Sequence, residues 1–258
     1  DAVRAREAYD ALVAGLATRA VDVQVALRAD GRRWFPLGGL AGDPDTGEEY
    51  DLTTHPFTLE AMVEGRVVHE SREALGDSLL PTDPDEVERL GDVLLAASER
   101  VLSACREEPQ GPRRTRLARR LLVAEGRWVQ ERVRRFLDDG VPLSDQDAGR
   151  LLTVLMTIEV RDVAWAEMTR DNARRHVDLW RDLVRRAPVD VLAPPAALLA
   201  FAAWLAGDGA LAWCALDRAK VADPDYSMAM LVERALTCAV APSSWVPLKE
   251  EHLTLFAA

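Results

Sequence analysis

The chain has 258 residues, 48% of them hydrophobic and 29% charged, so it can bury a core and does not have the composition of a disordered protein. Its formal net charge of -11 argues against non-specific binding of nucleic acid or of anionic membranes by the protein as a whole. Only two of its 32 basic residues are lysines, Lys220 and Lys249. We interpret the excess of arginine first as the codon bias of a GC-rich genome.

The cysteine and histidine pattern indicates reduced thiols rather than a disulfide framework or a zinc site. No CxxC motif occurs, and the four histidines lie far apart in the sequence. The longest apolar run, residues 196–207, has about half of the roughly 20 residues that a membrane span needs. The first residues include acids and lack the apolar core of a secretion signal. We therefore expect a soluble, cytoplasmic protein without metal or cofactor, whose three cysteines lie on apolar helix faces: Cys105, Cys214 and Cys238.

The first 80 residues predict a small, partial α/β segment. In chain order we expect a helix over 1–18, a strand over 21–27, a turn at Asp30-Gly31, a second strand over 33–37, a glycine- and acid-rich loop over 38–51, and short helices near 58–64 and 71–79. A lone hairpin is marginal in water. We therefore expect this hairpin to be completed by additional sequence or by a second chain, including a homodimer partner.

Residues 81–258 predict an all-helical domain. Its first helix starts with a capping pattern in which Asp83 is the N-cap, Pro84 the first helical residue and Glu86 the reciprocal acid. Glycine and proline separate the helices expected near 84–106, 113–138, 145–158, 160–170, 173–186, 195–206, 209–222 and 226–239. The fold class is thus mainly α, a helical bundle with repeat-like antiparallel helix pairs, preceded by the small α/β fragment.

One helix pair near the C-terminus has the spacing of a tetratricopeptide unit. Counting back from Pro224, the small-residue positions of that repeat hold Ala219, Ala212 and Gly207, with Leu216 between the two alanines. Alanines at these positions let two helices approach closely. Because one unit matches clearly and a self-supporting solenoid needs three or more, we interpret this pair as a repeat-like hairpin within a larger bundle.

Several segments resemble, in the same order, the actinobacterial family called domain of unknown function 4192. They are ALRADGRRWFPL at 26–37, SRE at 71–73, VRDVAW at 160–165, LWRDLVRRAP at 179–188, and the stretch from AFAAWLAGDG to LVERAL at 200–236. The resemblance implies no activity, since the family has none assigned. It implies a further α/β segment before this hairpin. Many members also carry a cysteine-containing loop after the tryptophan strand, and residues 42–51 here contain no cysteine, which argues against a metal or redox role.

The clearest charge feature lies between Arg106 and Arg135, which span ten arginines and four glutamates. On a helical wheel one row of arginines borders two apolar stripes: Arg113, Arg116, Arg120, Arg127 and Arg134. Guanidinium groups suit phosphate or carboxylate recognition. The alternative is a solvated or internally paired face, and the ten acids between Asp43 and Asp77 offer partners for it.

Other polar groups favour structural roles. His55, His69, Glu70 and Glu73 lack the fixed spacing of a metal site and are typical of exposed loops. Arg161 and Asp162 indicate a buried ion pair rather than a catalytic pair. The tryptophans on predicted helices are expected in the core with their indole N–H groups bonded to carbonyls. No GxSxG, P-loop, GxGxxG or HExxH motif occurs.

Two functions from different classes remain open. The first is a non-enzymatic protein-interaction or scaffold module. The second is a small anionic-ligand binder or enzyme whose site lies between the α/β fragment and the helical domain, formed by Trp34, Arg72, Arg116, Arg120, Arg127 and Arg134. Nucleic-acid binding through the arginine row alone is a weaker third hypothesis.

Overall fold

The chain is described in a computed structural model over residues 2–51, 55–63, 69, 71–106 and 111–256. These residues form eleven α-helices and one three-stranded antiparallel sheet, which confirms the predicted mainly α fold. The chain divides into two compact units, Asp1–Val68 and His69–Ala258.

The first unit contains the sheet and two helices. Its elements are α1 (Ala2–Ala17), β1 (Ala26–Ala29), β2 (Arg33–Gly38), β3 (Glu48–Glu49) and α2 (Pro56–Val63). The strand order is β1-β2-β3, with every neighbouring pair antiparallel. Phe35 and Pro36 of β2 are the buried residues among those described in this unit, so its interior is small.

The hairpin turn forms where the sequence predicts it. The Asp30 carboxylate accepts hydrogen bonds from the backbone N–H groups of Arg32, at 3.0 Å, and Arg33, at 2.8 Å. Gly31 has a φ of 92°, which an L side chain would strain. The first residue pair of the hairpin next to this turn is Ala29 with Trp34. The turn is therefore fixed by one side chain and one glycine.

The strands differ from the prediction in two ways. The first strand starts at Ala26 rather than at residue 21, and a third strand, β3, lies inside the predicted acidic loop. An ion pair of 2.9 Å between Arg33 and Glu49 joins β2 to β3. The alternation of apolar and polar residues over 21–25 predicted a strand. Such a pattern shows which side chains share a face, but it does not show which residues have a neighbouring strand to pair with.

The regular elements described in the second unit are all helices. Its helices are α3 (Arg72–Asp77), α4 (Pro84–Arg106), α5 (Pro112–Asp139), α6 (Asp145–Val154), α7 (Ile158–Ala166), α8 (Ala173–Arg186), α9 (Ala193–Leu205), α10 (Gly209–Ala222) and α11 (Ser227–Thr237). Short 3-10 turns occur at Val189–Val191, Pro242–Ser244 and Glu250–His252.

Helix α3 belongs to the helical unit, although the sequence placed the domain boundary after residue 80. The Arg72 guanidinium pairs with Asp217 of α10 at 2.9 Å. Leu79, which follows α3, is fully buried in the helical core. The division between the two compact units falls between Val68 and His69, and the boundary after residue 80 stays a prediction.

Helix α9 is the centre of this unit, because all thirteen of its residues are buried. It packs against α8, α10 and α11. In α10, Ala212, Leu216 and Ala219 are fully buried, as the small-residue spacing requires for two closely packed helices. The assignment of this pair as a tetratricopeptide unit stays a prediction.

Arg186 joins three helices from a nearly buried position, with 5% of the residue exposed. Its guanidinium lies 2.9 Å from Glu86 of α4, 2.5 Å from Asp145 of α6 and 3.0 Å from Asp182 of its own helix, α8. A buried charge is tolerated only when it is paired. The three acids provide that pairing.

The expected buried pair of Arg161 and Asp162 is present in the structure. Arg161 is 5% exposed and donates to the Asp162 carboxylate through two nitrogens. Its third nitrogen donates to the Tyr226 hydroxyl at 3.1 Å, which ties α7 to the start of α11. The pair therefore links helices, which is the structural role expected from the sequence.

The tryptophans satisfy their N–H groups in more than one way. Trp204 donates to the carbonyl of Val240 at 3.0 Å, as expected. Trp180 is fully buried and instead donates to the Nδ1 of His176 at 3.3 Å. Trp165 has no hydrogen-bond partner for its buried N–H among the described residues. The general expectation of a carbonyl partner thus holds for only some of these side chains.

The thiols and acids of the described residues show no metal-binding arrangement. In the described ranges no three His, Cys, Asp or Glu side chains are grouped so that they could hold a metal ion. Cys214 is buried and free, whereas Cys238 is exposed, which corrects its predicted place on an apolar face. The side chain of Cys105 and the whole of Glu70 lie outside the described residues. None of the helices in the described part of the chain is both long and apolar enough to span a membrane.

Buried His176 makes the stability of the protein sensitive to mild acid. Burial lowers the pKa of this imidazole from 6.5 to about 4, while its Nδ1 accepts from Trp180 and its Nε2 faces the Glu167 carbonyl at 3.2 Å. Between these two values the unfolded state binds the proton and the folded state does not, so acidification favours unfolding. We expect about 2 kcal/mol to be lost between pH 7.5 and pH 5, measured by urea unfolding.

A pair of variants separates this histidine from the others. His176→Gln should be less stable at neutral pH and should lose most of the pH dependence, whereas exposed His252→Gln should keep the wild-type dependence. Equal pH profiles for the wild type and His176→Gln would show that His176 is not the responsible group.

Candidate functional site on helix α5

Helix α5 carries the predicted arginine row along its exposed edge. Pro112 stands at its first turn, and Gly140 ends it with a left-handed φ of 69°. The inward face is buried through Gly126, Val129, Gln130, Val133 and Phe136. The predicted ligand-binding arginines are all exposed: Arg116, Arg120, Arg127 and Arg134.

The C-terminal half of the row is part of a hydrogen-bonded network. Arg134 binds Glu167 in a bidentate manner, with Nε and Nη2 lying 2.7 Å and 2.9 Å from its two oxygens. Arg127 donates to Glu250 at 2.7 Å. The nearly buried Gln130 lies between them and uses its whole amide: it donates to both glutamates and accepts from Arg127.

The charges of this network cancel. Two guanidinium groups face two carboxylates, and hydrogen bonds of this kind are about twice as strong as neutral ones. The hydrogen bond that Arg127 donates to Glu250 raises the pKa of Arg127, and those that Arg134 donates to Glu167 raise the pKa of Arg134. The hydrogen bonds from Arg127 and Gln130 lower the pKa of Glu250. Arg127 and Arg134 are therefore already committed to partners within the chain.

These partners differ from the predicted ones. The sequence offered the acids between Asp43 and Asp77, whereas the structure pairs Arg127 and Arg134 with Glu250 and Glu167. Glu250 follows the last predicted helix in a tail without helical periodicity. Sequence spacing alone gives no signal that such a tail returns to helix α5.

The N-terminal half of the row has a different environment. Residues 111–124 contain five arginines and no acid. Arg116 and Arg120 are exposed, and neither forms an ion pair with a residue that the structure describes. The row is therefore divided into an internally neutralised half and a solvated half.

The remaining predicted site residues lie elsewhere. Trp34 is in β2 of the first unit, opposite Ala29 and Glu48 in the two neighbouring strands. Arg72 is in α3 and pairs with Asp217. Of the six predicted residues, Arg127 and Arg134 are the two that a described network brings together.

The C-terminal segment, residues 240–256, covers an aromatic cluster of the helical unit. The Trp245 ring stacks on Trp165, with centroids 5.6 Å apart, and meets Phe201 edge-on at 4.8 Å. Its indole N–H donates to the carbonyl of Met168 at 3.0 Å. Trp245 thus combines ring contacts with a directed hydrogen bond, as aromatic anchors do at interfaces.

The end of this segment packs on helix α5. Leu253 and Leu255 are buried, with 4% and 5% exposed. A Cβ at Gly126 would lie 2.3 Å from a methyl group of Leu255, so the absence of a side chain leaves room for the segment. Arg127 contacts the Phe256 ring face at 3.9 Å while it pairs with Glu250. We call this surface, formed by Gly126, Arg127, Gln130, Trp165 and Phe201, the tail groove.

A separate open cleft of about 420 Å³ lies beside the end of α5. Arg175, Asp178 and Asp182 provide its charged groups. Burial raises the pKa of Asp178, and Arg175 donates to the Leu137 carbonyl. Asp182 already pairs with Arg186. Among these lining residues no nucleophile lies next to a base.

Comparison with known proteins assigns the chain to a family. The family model for "Domain of unknown function (DUF4192)" matches residues 1–243, and the chain belongs to this family. No match is found among curated proteins or among solved structures. The family match ends before Trp245 and Glu250, so the main anchors of the C-terminal segment lie outside it.

The pairing of Arg134 with Glu167 should contribute measurably to stability. Glu167 has 14% of its side chain exposed and would lose a bidentate partner in Arg134→Ala. We expect a loss of about 1 kcal/mol in urea unfolding. The matched control is Arg135→Ala on the same helix, whose side chain is 64% exposed and which should change stability by less than about 0.5 kcal/mol. Equal losses in both variants would contradict the structural role of the network.

Proposed function

We propose that this protein is a cytoplasmic, non-enzymatic interaction module that forms a homodimer through its first unit. The observation that carries the proposal is the exposure of apolar side chains in that unit. Helix α1 has no buried residue. Large apolar side chains that are about half exposed or more occur along α1, the run before β1, and β1 itself: Val3, Leu12, Val21, Val25 and Leu27.

A second supporting feature is the outer edge of β1. The strand order β1-β2-β3 leaves that edge without a strand partner among the described residues. An open edge presents unpaired backbone groups that favour pairing with another chain. An apolar stripe beside such an edge favours a protein partner over solvent.

The charges of this edge favour a second copy as the partner. Asp22 and Arg28 lie three residues on either side of Val25. Antiparallel pairing of two copies about Val25 would place Asp22 of one copy opposite Arg28 of the other, twice in the dimer. Opposite charges in cross-strand positions stabilise such pairs, and like charges destabilise them.

The α5 network supports an interaction role over the binding of a small anion. Arg127 and Arg134 are neutralised by Glu250 and Glu167, so a small anion would have to displace a carboxylate already bound in good geometry. The predicted tetratricopeptide-like hairpin belongs to a class of helix pairs that commonly support protein contacts, which agrees with the proposed role.

The proposal is tested by the oligomeric state of the purified protein. Sedimentation velocity over a hundredfold concentration range should give a species of twice the 28.5 kDa chain mass. Leu27→Asp places a charge beside the β1 edge and should weaken dimerisation at least tenfold. Leu231→Asp, a comparably exposed position on α11, is the matched control and should leave the dimer unchanged.

A charge exchange tests the pairing register. Asp22→Arg and Arg28→Asp should each weaken the dimer, and the double variant should restore it, because the two opposite pairs form again. A wild-type protein that is monomeric throughout the concentration range would overturn the proposed function. A dimer indifferent to Leu27→Asp, Asp22→Arg and Arg28→Asp would overturn this surface.

A further inference from the structure

We propose that the C-terminal segment is an exchangeable ligand of the tail groove, so that two copies of the chain can bind each other's segment. The proposal goes beyond the β1 contact because it concerns a different unit and a different surface. The occupant that we propose is the C-terminal segment of a second copy. That segment fits the groove because the chain's own segment, with the same sequence, already occupies it.

The segment is attached in the way a bound peptide is attached. It contains two 3-10 turns and no α-helix or β-strand among its described residues. Its contacts with the helices include hydrogen bonds in which one partner is a side chain: Trp204 to the Val240 carbonyl, Trp245 to the Met168 carbonyl, and Arg127 and Gln130 to Glu250. Between these contacts Val246 is 76% exposed.

The groove side is held in place by contacts of its own. Gln130 donates to Glu167, and Trp165 meets Phe201 edge-on at 5.4 Å. Gly126 provides space through the absence of a side chain. These features do not depend on which copy supplies the segment. A preorganised groove lowers the cost of binding a flexible chain.

The hinge between helix α11 and the segment is strained. Helix α11 ends in a Schellman motif, in which the Val240 N–H bonds to the Ala235 carbonyl and the Ala239 N–H to the Leu236 carbonyl. The residue in the left-handed position is Ala239, with a φ of 50°, where glycine is favoured. Opening the hinge relieves this strain, and strained hinge loops favour exchange of an element between copies.

The ion pair at the groove allows a test by complementary charges in full-length protein. In Arg127→Glu the groove repels its own Glu250, and in Glu250→Arg the segment repels its own groove. When the two variants are mixed, a reciprocal exchange restores both opposite-charge pairs. We expect native mass spectrometry to show the heterodimer enriched about tenfold over either homodimer.

The β1 contact is weakened in this experiment by carrying Leu27→Asp in every protein. Enrichment of the heterodimer over the control mixture in this background therefore reports exchange of the segment, whereas the proposed function is tested separately by the oligomeric state of the wild type. The matched control mixes Glu250→Arg with Arg135→Glu, and should give no enrichment, because Arg135 is an exposed arginine of the same helix that pairs with Asp139.

The hinge provides a second, independent variant. Ala239→Gly removes the backbone strain that is present when the segment lies in the groove of its own chain. Because an alanine in the left-handed region carries that cost, the variant should lower the fraction of exchanged dimer about fivefold. If a single charge variant loses its helical circular dichroism, recovery of that signal on mixing with its complement supports exchange. Absence of recovery, or of heterodimer enrichment over the control, overturns the proposal.

Discussion

The burial of helix α9 on every side is the constraint on which the helical unit depends. A helix with no solvent-facing stripe must be surrounded, so α8, α10 and α11 are placed around it as a consequence of its composition. Its many alanines permit this, because small side chains let the neighbouring backbones approach. The polar contacts of the unit lie around this apolar centre, and the C-terminal segment closes it where Trp245 covers Phe201.

Several arginines of this acidic protein join separate elements. Arg161 ties α7 to Tyr226, and Arg127 and Arg134 tie α5 to Glu250 and Glu167. The guanidinium groups of Arg161 and Arg127 each donate to two different residues, and that of Arg134 binds both oxygens of Glu167, which a lysine could not do in the same geometry. Codon bias concerns the number of arginines in the chain, whereas the positions of these three arginines follow from packing.

The sequence predicted local structure well and long-range pairing poorly. Helix positions follow from periodicity and from caps such as Ser144, whose hydroxyl accepts from the Asp147 N–H, so the helices lie close to their expected bounds. The buried pair of Arg161 and Asp162 was also predictable, since neighbouring charges in an apolar helix need each other. The partners of Arg127 and Arg134 were not, because Glu250 lies in a tail without periodicity. Strand β3 has two residues and no pattern of its own.

The environment of Arg186 has a consequence for how the helical unit loses its structure. Its acids come from positions 86, 145 and 182, so detaching α4 or α6 leaves the buried guanidinium short of a partner, and detaching α8 removes the cation that pairs with Glu86 and Asp145. A stack of independent repeats can fray from one end, unit by unit. Here a single guanidinium makes partial opening costly in the middle of the chain, so we expect these three helices to unfold cooperatively.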